Sequence, residues 1–93
     1  MIFPSPLKYK TIYAYSGKGI ISGTLKVNNV ATHRKIFLFE SKTQNLLDWT
    51  SSDEDGNYSF VGLNENIEYD LRAKDFNRNY LDNILTAVKP KLP

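Results

Sequence analysis

Apolar residues recur at every second position along most of this chain, the period that sets side chains on alternate faces of a β-strand. Over residues 19–27, Ile21, Leu25 and Val27 share a face with Gly23, while Ser22, Thr24 and Lys26 point to water. Residues 68–75 alternate most cleanly, with Tyr69, Leu71 and Ala73 inward and the charged residues outward. Residues 46–51 place Leu47 and Trp49 on one face, where Trp49 reads as packing rather than as a ligand platform. The last strand, 80–88, has Ile84 and Val88 as its inward pair, and Pro90 and Pro93 end it. Residues 34–40 break the rule, because Ile36, Phe37, Leu38 and Phe39 are all apolar. Either both faces of that strand are covered, or one of them is a contact surface.

The strongest local signal is Ser52-Asp53-Glu54-Asp55-Gly56-Asn57-Tyr58-Ser59-Phe60-Val61-Gly62-Leu63. A polar loop closes in an Asp55-Gly56-Asn57 turn, and the turn launches a strand with Tyr58 and Phe60 on one face. Gly56 supplies the positive φ at low steric cost, so Asp55 and Gly56 are read as structural turn residues. Past Gly62, Leu63 tucks under the sheet as the chain turns away. Asn28-Asn29 makes another turn, since Asn tolerates the left-handed region. Residues 42–45 form a hairpin loop, 64–66 a loop and 76–79 a turn. The expectation is an all-β fold, a small antiparallel Greek-key β-sandwich of six strands, with a seventh available from the N-terminal arm.

Residues 1–18 read as an extended arm, 19–90 as the sandwich domain and 91–93 as a tail. Pro4 and Pro6 each remove a backbone donor and disfavour helix in the residue before. Phe3, Tyr9, Tyr13 and Tyr15 sit among Lys8, Lys10 and Lys18, and residues 10–15 can pair as an edge strand. The plain reading is a floppy arm. The sharper one is an arm that orders against a partner, because so many aromatics are uncommon in a floppy tail. Candidate partner-binding residues are therefore Phe3, Tyr9, Tyr13 and Tyr15, with Phe37 and Phe39 of the all-apolar strand. Deleting residues 1–18 is expected to leave the sheet intact.

Composition narrows the classes. Ninety-three residues make one domain, and an apolar content of 41% with 13% aromatics suffices for a packed core. Twelve basic and ten acidic residues give a net charge of +2, too small and too interspersed for a nucleic-acid footprint. With no cysteine, the fold uses no disulfide and forms in reducing or oxidising surroundings. No secretory leader or membrane-span pattern is visible, so the chain is expected to stay in the cytoplasm or to leave it by a route other than Sec export.

Two motifs carry a resemblance. The run Asp53-x-x-Gly56-x-Tyr58-x-Phe60-x-x-Leu63 and the opening Ile21-Ser22-Gly23-Thr24-Leu25-Lys26-Val27-Asn28-Asn29 resemble the carboxypeptidase regulatory-like, transthyretin-like β-sandwich domains. With His33-Arg34-Lys35-Ile36-Phe37-Leu38-Phe39-Glu40, Tyr69-Asp70-Leu71-x-Ala73-Lys74-Asp75 and Thr86-Ala87-Val88-Lys89-Pro90, the chain looks like such domains in tailed-phage virion proteins. The likeness covers residues 19–90. It implies a structural role in a bacteriophage virion, tail-associated or as a capsid decoration, through contacts with other virion proteins. It also implies a homo-oligomer or many copies on a symmetric lattice.

The candidate chemistry is sparse. His33 is the single histidine, with no G-x-S-x-G elbow near it, and it reads as an exposed loop residue rather than a catalytic base. One His without Cys cannot close a tetrahedral zinc site. Asp53, Glu54, Asp55 and Asn57 mimic a calcium loop superficially, but Leu63 and Asn64 stand near the position of the closing Glu. No cofactor, metal or catalytic residue is expected. The rival expectation is a module for a host-surface glycan, using Trp49, Tyr58 and Tyr80 as exposed aromatic faces.

Overall fold

The computed structural model describes residues 15–74 and 81–93. They form eight antiparallel strands and no α-helix: β1 (Ser16–Thr24), β2 (Lys26–Val27), β3 (Val30–Ala31), β4 (Lys35–Glu40), β5 (Leu46–Ser51), β6 (Asn57–Leu63), β7 (Tyr69–Lys74) and β8 (Leu81–Val88). Four strands make a sheet in the order β5-β4-β7-β8, β1 pairs with β6, and β2 with β3 forms a small hairpin. That hairpin turns on Asn28 and Asn29, both left-handed with φ of 53° and 66°. The Asn-Asn signal marked the turn, and the return pairing of Val27 with Val30 was not visible beside it.

One apolar core joins the four-stranded sheet to the β1–β6 pair. β4 contributes Ile36 and Leu38, β5 Leu47, and β7 Tyr69, Leu71 and Ala73. From the other side come Ile21, Tyr58, Phe60 and Leu63, together with Leu25 and Tyr15. Ile67, Ile84, Leu85 and Val88 close its margins. The alternation read from residues 19–27 holds as far as Leu25, after which the expected single strand divides into β1 and β2, and the inward residues read from 58–63 and 68–75 are buried. Gly62, at φ 71°, breaks the two-residue period and lets Leu63 turn inward beside Phe60.

Three expectations need correction. Leu47 and Trp49 do not share a face. The β4–β5 ladder slips between Leu38 and Phe39, which pair with Asp48 and Leu46, so β5 carries an extra residue. Leu47 is fully buried, while Trp49 pairs with Phe37 on the opposite face. A one-residue bulge reverses the side-chain parity beyond it.

The arm does not end at residue 18. β1 begins at Ser16, and Tyr15 is a core residue only 7% exposed, so it is not an accessible partner-binding group. Its carbonyl accepts from Asn64 N at 3.0 Å, extending the β1–β6 pairing by one step. Phe3, Tyr9 and Tyr13, and the turn at 76–79 with Tyr80, lie outside the described residues.

Nor is Lys91 part of a free tail. Its backbone bridges Ile20 through bonds of 2.7 and 2.9 Å. Pro90 is buried against Gly19, where an added Cβ would come within 2.5 Å of the proline ring. The C-terminal residues thus tie the edge of the four-stranded sheet to β1.

Candidate functional site

The outer face of the four-stranded sheet carries the aromatic residues that alternation could not bury. Ile36 and Leu38 of β4 point into the core, so the alternating Lys35, Phe37 and Phe39 point out. Across the ladder, Phe37 faces Trp49 of β5 on one side and Arg72 of β7 on the other. Asn83 of β8 continues the same row opposite Arg72, and Asp70 stands opposite Phe39. Phe37, Phe39 and Trp49 are each half-buried.

Two cations lie on these rings. The Lys35 ammonium is 4.1 Å from the Trp49 ring centroid and 5.7 Å from that of Phe37. The Arg72 guanidinium carbon is 4.7 Å from the Phe39 centroid. Each contact is attractive by about 0.5–1 kcal/mol at an exposed site, and more once water leaves. A network holds Arg72 in this pose. Its Nε donates to Asn83 Oδ1 at 2.9 Å, its Nη2 donates to Gln44 Oε1, and Nη2 lies 3.6 Å from Asp70 Oδ2.

Asp70 is the anchor beneath. It is buried although it sits on the outer face, and Gln44 Nε2 and the Ala87 N–H each donate to it at 2.8 Å. Burial pushes its carboxyl pKa up, but the Gln44 and Ala87 donors, Ser41 and the Arg72 charge outweigh burial and hold it below the usual carboxylate range. Gln44 and Ala87 are both left-handed, at φ 62° and 53°, and Asp70 is the group that holds these two turns against each other. The result is an aromatic surface on which Arg72 is held by hydrogen bonds and Lys35 lies over Trp49.

Of the sequence candidates, Phe37 and Phe39 belong to this face. Tyr15 does not: its hydroxyl donates to Glu40 Oε1, which also accepts from Thr43 Oγ1 at 3.0 Å. The hydrogen bond to Glu40, followed by burial, raises the Tyr15 pKa. Gly56 sits in its predicted turn at φ 81°, where a Cβ would stand 2.4 Å from the Leu25 carbonyl oxygen. The carboxylate that organises the loop is Asp53, whose Oδ1 accepts from the N–H groups of Asp55 and Asn57 at 2.9 Å each. Asp55 itself is exposed, as is His33. Among the described residues, no three His, Cys, Asp or Glu side chains are grouped to hold a metal ion.

Lys35, Gln44, Asp70, Arg72 and Asn83 were not singled out by sequence reasoning. They come from three strands and a loop, and only cross-strand register brings them together. Compared with family models, curated proteins and solved structures, the chain matches none of them.

Proposed function

We propose that this chain is a non-enzymatic structural protein of a bacteriophage virion, tail-associated or capsid-decorating, that acts through protein–protein contacts. The observation that carries the contact reading is the Phe37–Phe39–Trp49 face with Lys35 and Arg72 laid across it. Aromatic residues and Arg are the types enriched at the centre of protein interfaces, and the surrounding Gln44 and Asn83 supply a polar rim. The hydrogen-bonded pose of Arg72 reduces the ordering cost of binding. The virion reading rests on the resemblance of the sequence motifs to regulatory-like domains of tailed-phage virion proteins. A Greek-key sandwich of that kind is consistent with a four-stranded sheet and the β1–β6 pair sharing one core.

The glycan alternative fits this face less well. A sugar ring stacks on the face of a Trp, and here the Lys35 ammonium already lies over that ring. The test is a Phe37→Ala/Trp49→Ala double variant of the full chain, added to virions assembled without the protein. Losing two interface anchors should weaken binding by about 30-fold or more, while cooperative melting persists. Undiminished binding by a folded variant would remove this face as the contact. Glycan-array binding that disappears with Trp49 would favour the recognition reading instead.

A further inference from the structure

Among the described residues, the edge of β1 facing away from β6 is almost unpaired, and its one ladder contact along Ser16–Thr24 is the Ile20–Lys91 bridge. Ile20 directs both backbone groups to that edge, and Leu25 N donates to Gly56 O on the β6 side. Strand alternation therefore aims the N–H and C=O groups of Ser22 and Thr24 at the same open edge as Ile20. Beside them lies a slot of about 310 Å³, lined by Ile20, Ile21 and Ser22 of β1, Leu85 and Val88 of β8, and Lys89, Lys91 and Leu92 beyond it. An open strand edge beside a slot with an apolar floor of Ile21, Leu85 and Val88 and a basic rim of Lys89 and Lys91 is an arrangement that accepts an added strand.

We propose that this slot receives residues 7–13 of a second copy of the chain, paired along Ser22 and Thr24. The inference rests on the multi-copy protein–protein reading above and names the acceptor edge. Fourteen residues precede the described part of the chain, and within them Leu7, Tyr9, Thr11 and Tyr13 alternate with Lys8, Lys10 and Ile12. Extended as a strand, this segment would set Leu7, Tyr9 and Tyr13 toward the slot and Lys8 and Lys10 toward water, with Thr11 and Ile12 against the alternation.

The chain's own arm is poorly placed to do the same. Tyr15 is fixed at the far end of β1, and Pro90 and Lys91 already occupy the edge at Gly19 and Ile20. Returning from Tyr15 to Ser22 takes about seven residues, or ~23 Å of strand. The part left to pair would be the part holding Pro4 and Pro6, which lack the N–H a ladder needs. A second copy presents the proline-free residues instead.

The chain has no cysteine, so introduced thiols report without background. Full-length Lys10→Cys and full-length Ser22→Cys, distinguishable by mass tags, are mixed and oxidised. Docking should favour their mixed disulfide by at least about tenfold over the pair Lys10→Cys with Val61→Cys, an exposed control on β6. Full-length Leu7→Asp/Tyr9→Asp should lose self-association and keep its melting temperature. Lys8 and Lys10 approach Lys89 and Lys91 in this pose, so added salt should tighten the association. Equal cross-linking to Ser22→Cys and Val61→Cys, or self-association that survives the two aspartates, would overturn the proposal. So would a disulfide that closes within the Lys10→Cys/Ser22→Cys monomer while the mixed single variants fail to link. Because Phe37 and Trp49 take no part, their double variant should still cross-link, which separates failure here from failure of the outer-face reading.

Discussion

At the scale of single residues, Gly56 is the position the loop cannot replace. Its φ of 81° is strained for any L side chain, and its missing Cβ makes room for the Leu25 carbonyl. Gly56 also accepts the Leu25 N–H at 2.7 Å, so the turn cannot shift without breaking the bond that links β6 to the end of β1. Left-handed strain and backbone overlap together should cost about 2–4 kcal/mol in Gly56→Ala, read by urea unfolding. Asp55→Asn should unfold at the wild-type midpoint, because the exposed Asp55 side chain leaves the loop bonds to Asp53. A Gly56→Ala loss under about 1 kcal/mol would mean that the loop relaxes at little cost. The glycine was legible because Asp-Gly-Asn before an alternating strand demands a positive φ. The choice between Asp53 and Asp55 as the organising carboxylate was not, since either spacing permits an Asx turn.

At the scale of elements, alternation identified the strands and their inward faces wherever the ladder stays regular. It failed on β5, because the bulge between Leu46 and Asp48 is a property of pairing with β4 and leaves no mark in β5's own residues. For the same reason the Lys35–Trp49 and Arg72–Phe39 contacts were not legible. They depend on which strands are neighbours, and the order β5-β4-β7-β8 is not the chain order. The all-apolar run at 36–39 did mark β4 as the strand with a contact surface, although not which cations would lie on it. The start of β1 was misplaced because Tyr15 has the same spacing as the arm aromatics before it. This changes the expectation for truncation. A chain starting at Tyr15 should melt cooperatively near the full-length temperature. One starting at Gly19 loses a buried tyrosine and three strand residues, and should be less stable by about 3–5 kcal/mol. Circular dichroism melts of the two truncations decide it, and equal melting would show that Tyr15 is dispensable to the core.

At the scale of the whole molecule, the core's dependence on tyrosine makes stability sensitive to high pH. Tyr58 and Tyr69 are core residues whose phenols are raised above their ordinary pKa by burial, and Tyr15 is raised by its bond to Glu40 and by burial. Tyr69 is pushed up to about 12. A phenol ionises more readily in the unfolded chain, near pH ~10, so below that value folded and unfolded states hold the same protons. Above it the unfolded state releases a proton that the folded state keeps. The phenols' contribution to stability is therefore complete below about pH 10 and is lost as the pH rises toward 12. Asp70 acts at the other extreme. Its folded pKa is depressed, so its contribution is present above the ordinary carboxylate range and is lost as the pH falls through the folded value. Between these limits the midpoint of urea unfolding should change little. Tyr69→Phe isolates the alkaline limb. Among the described residues its hydroxyl donates one long bond, to Asn64 O at 3.4 Å, so the substitution should cost under about 1 kcal/mol at pH 7. Above pH ~10 the variant should fall less steeply than wild type, because one shifted phenol has been removed. Parallel curves for the two proteins from neutral to alkaline pH would show that Tyr69 ionises alike in both states, and that the core opens to water before its phenols are titrated.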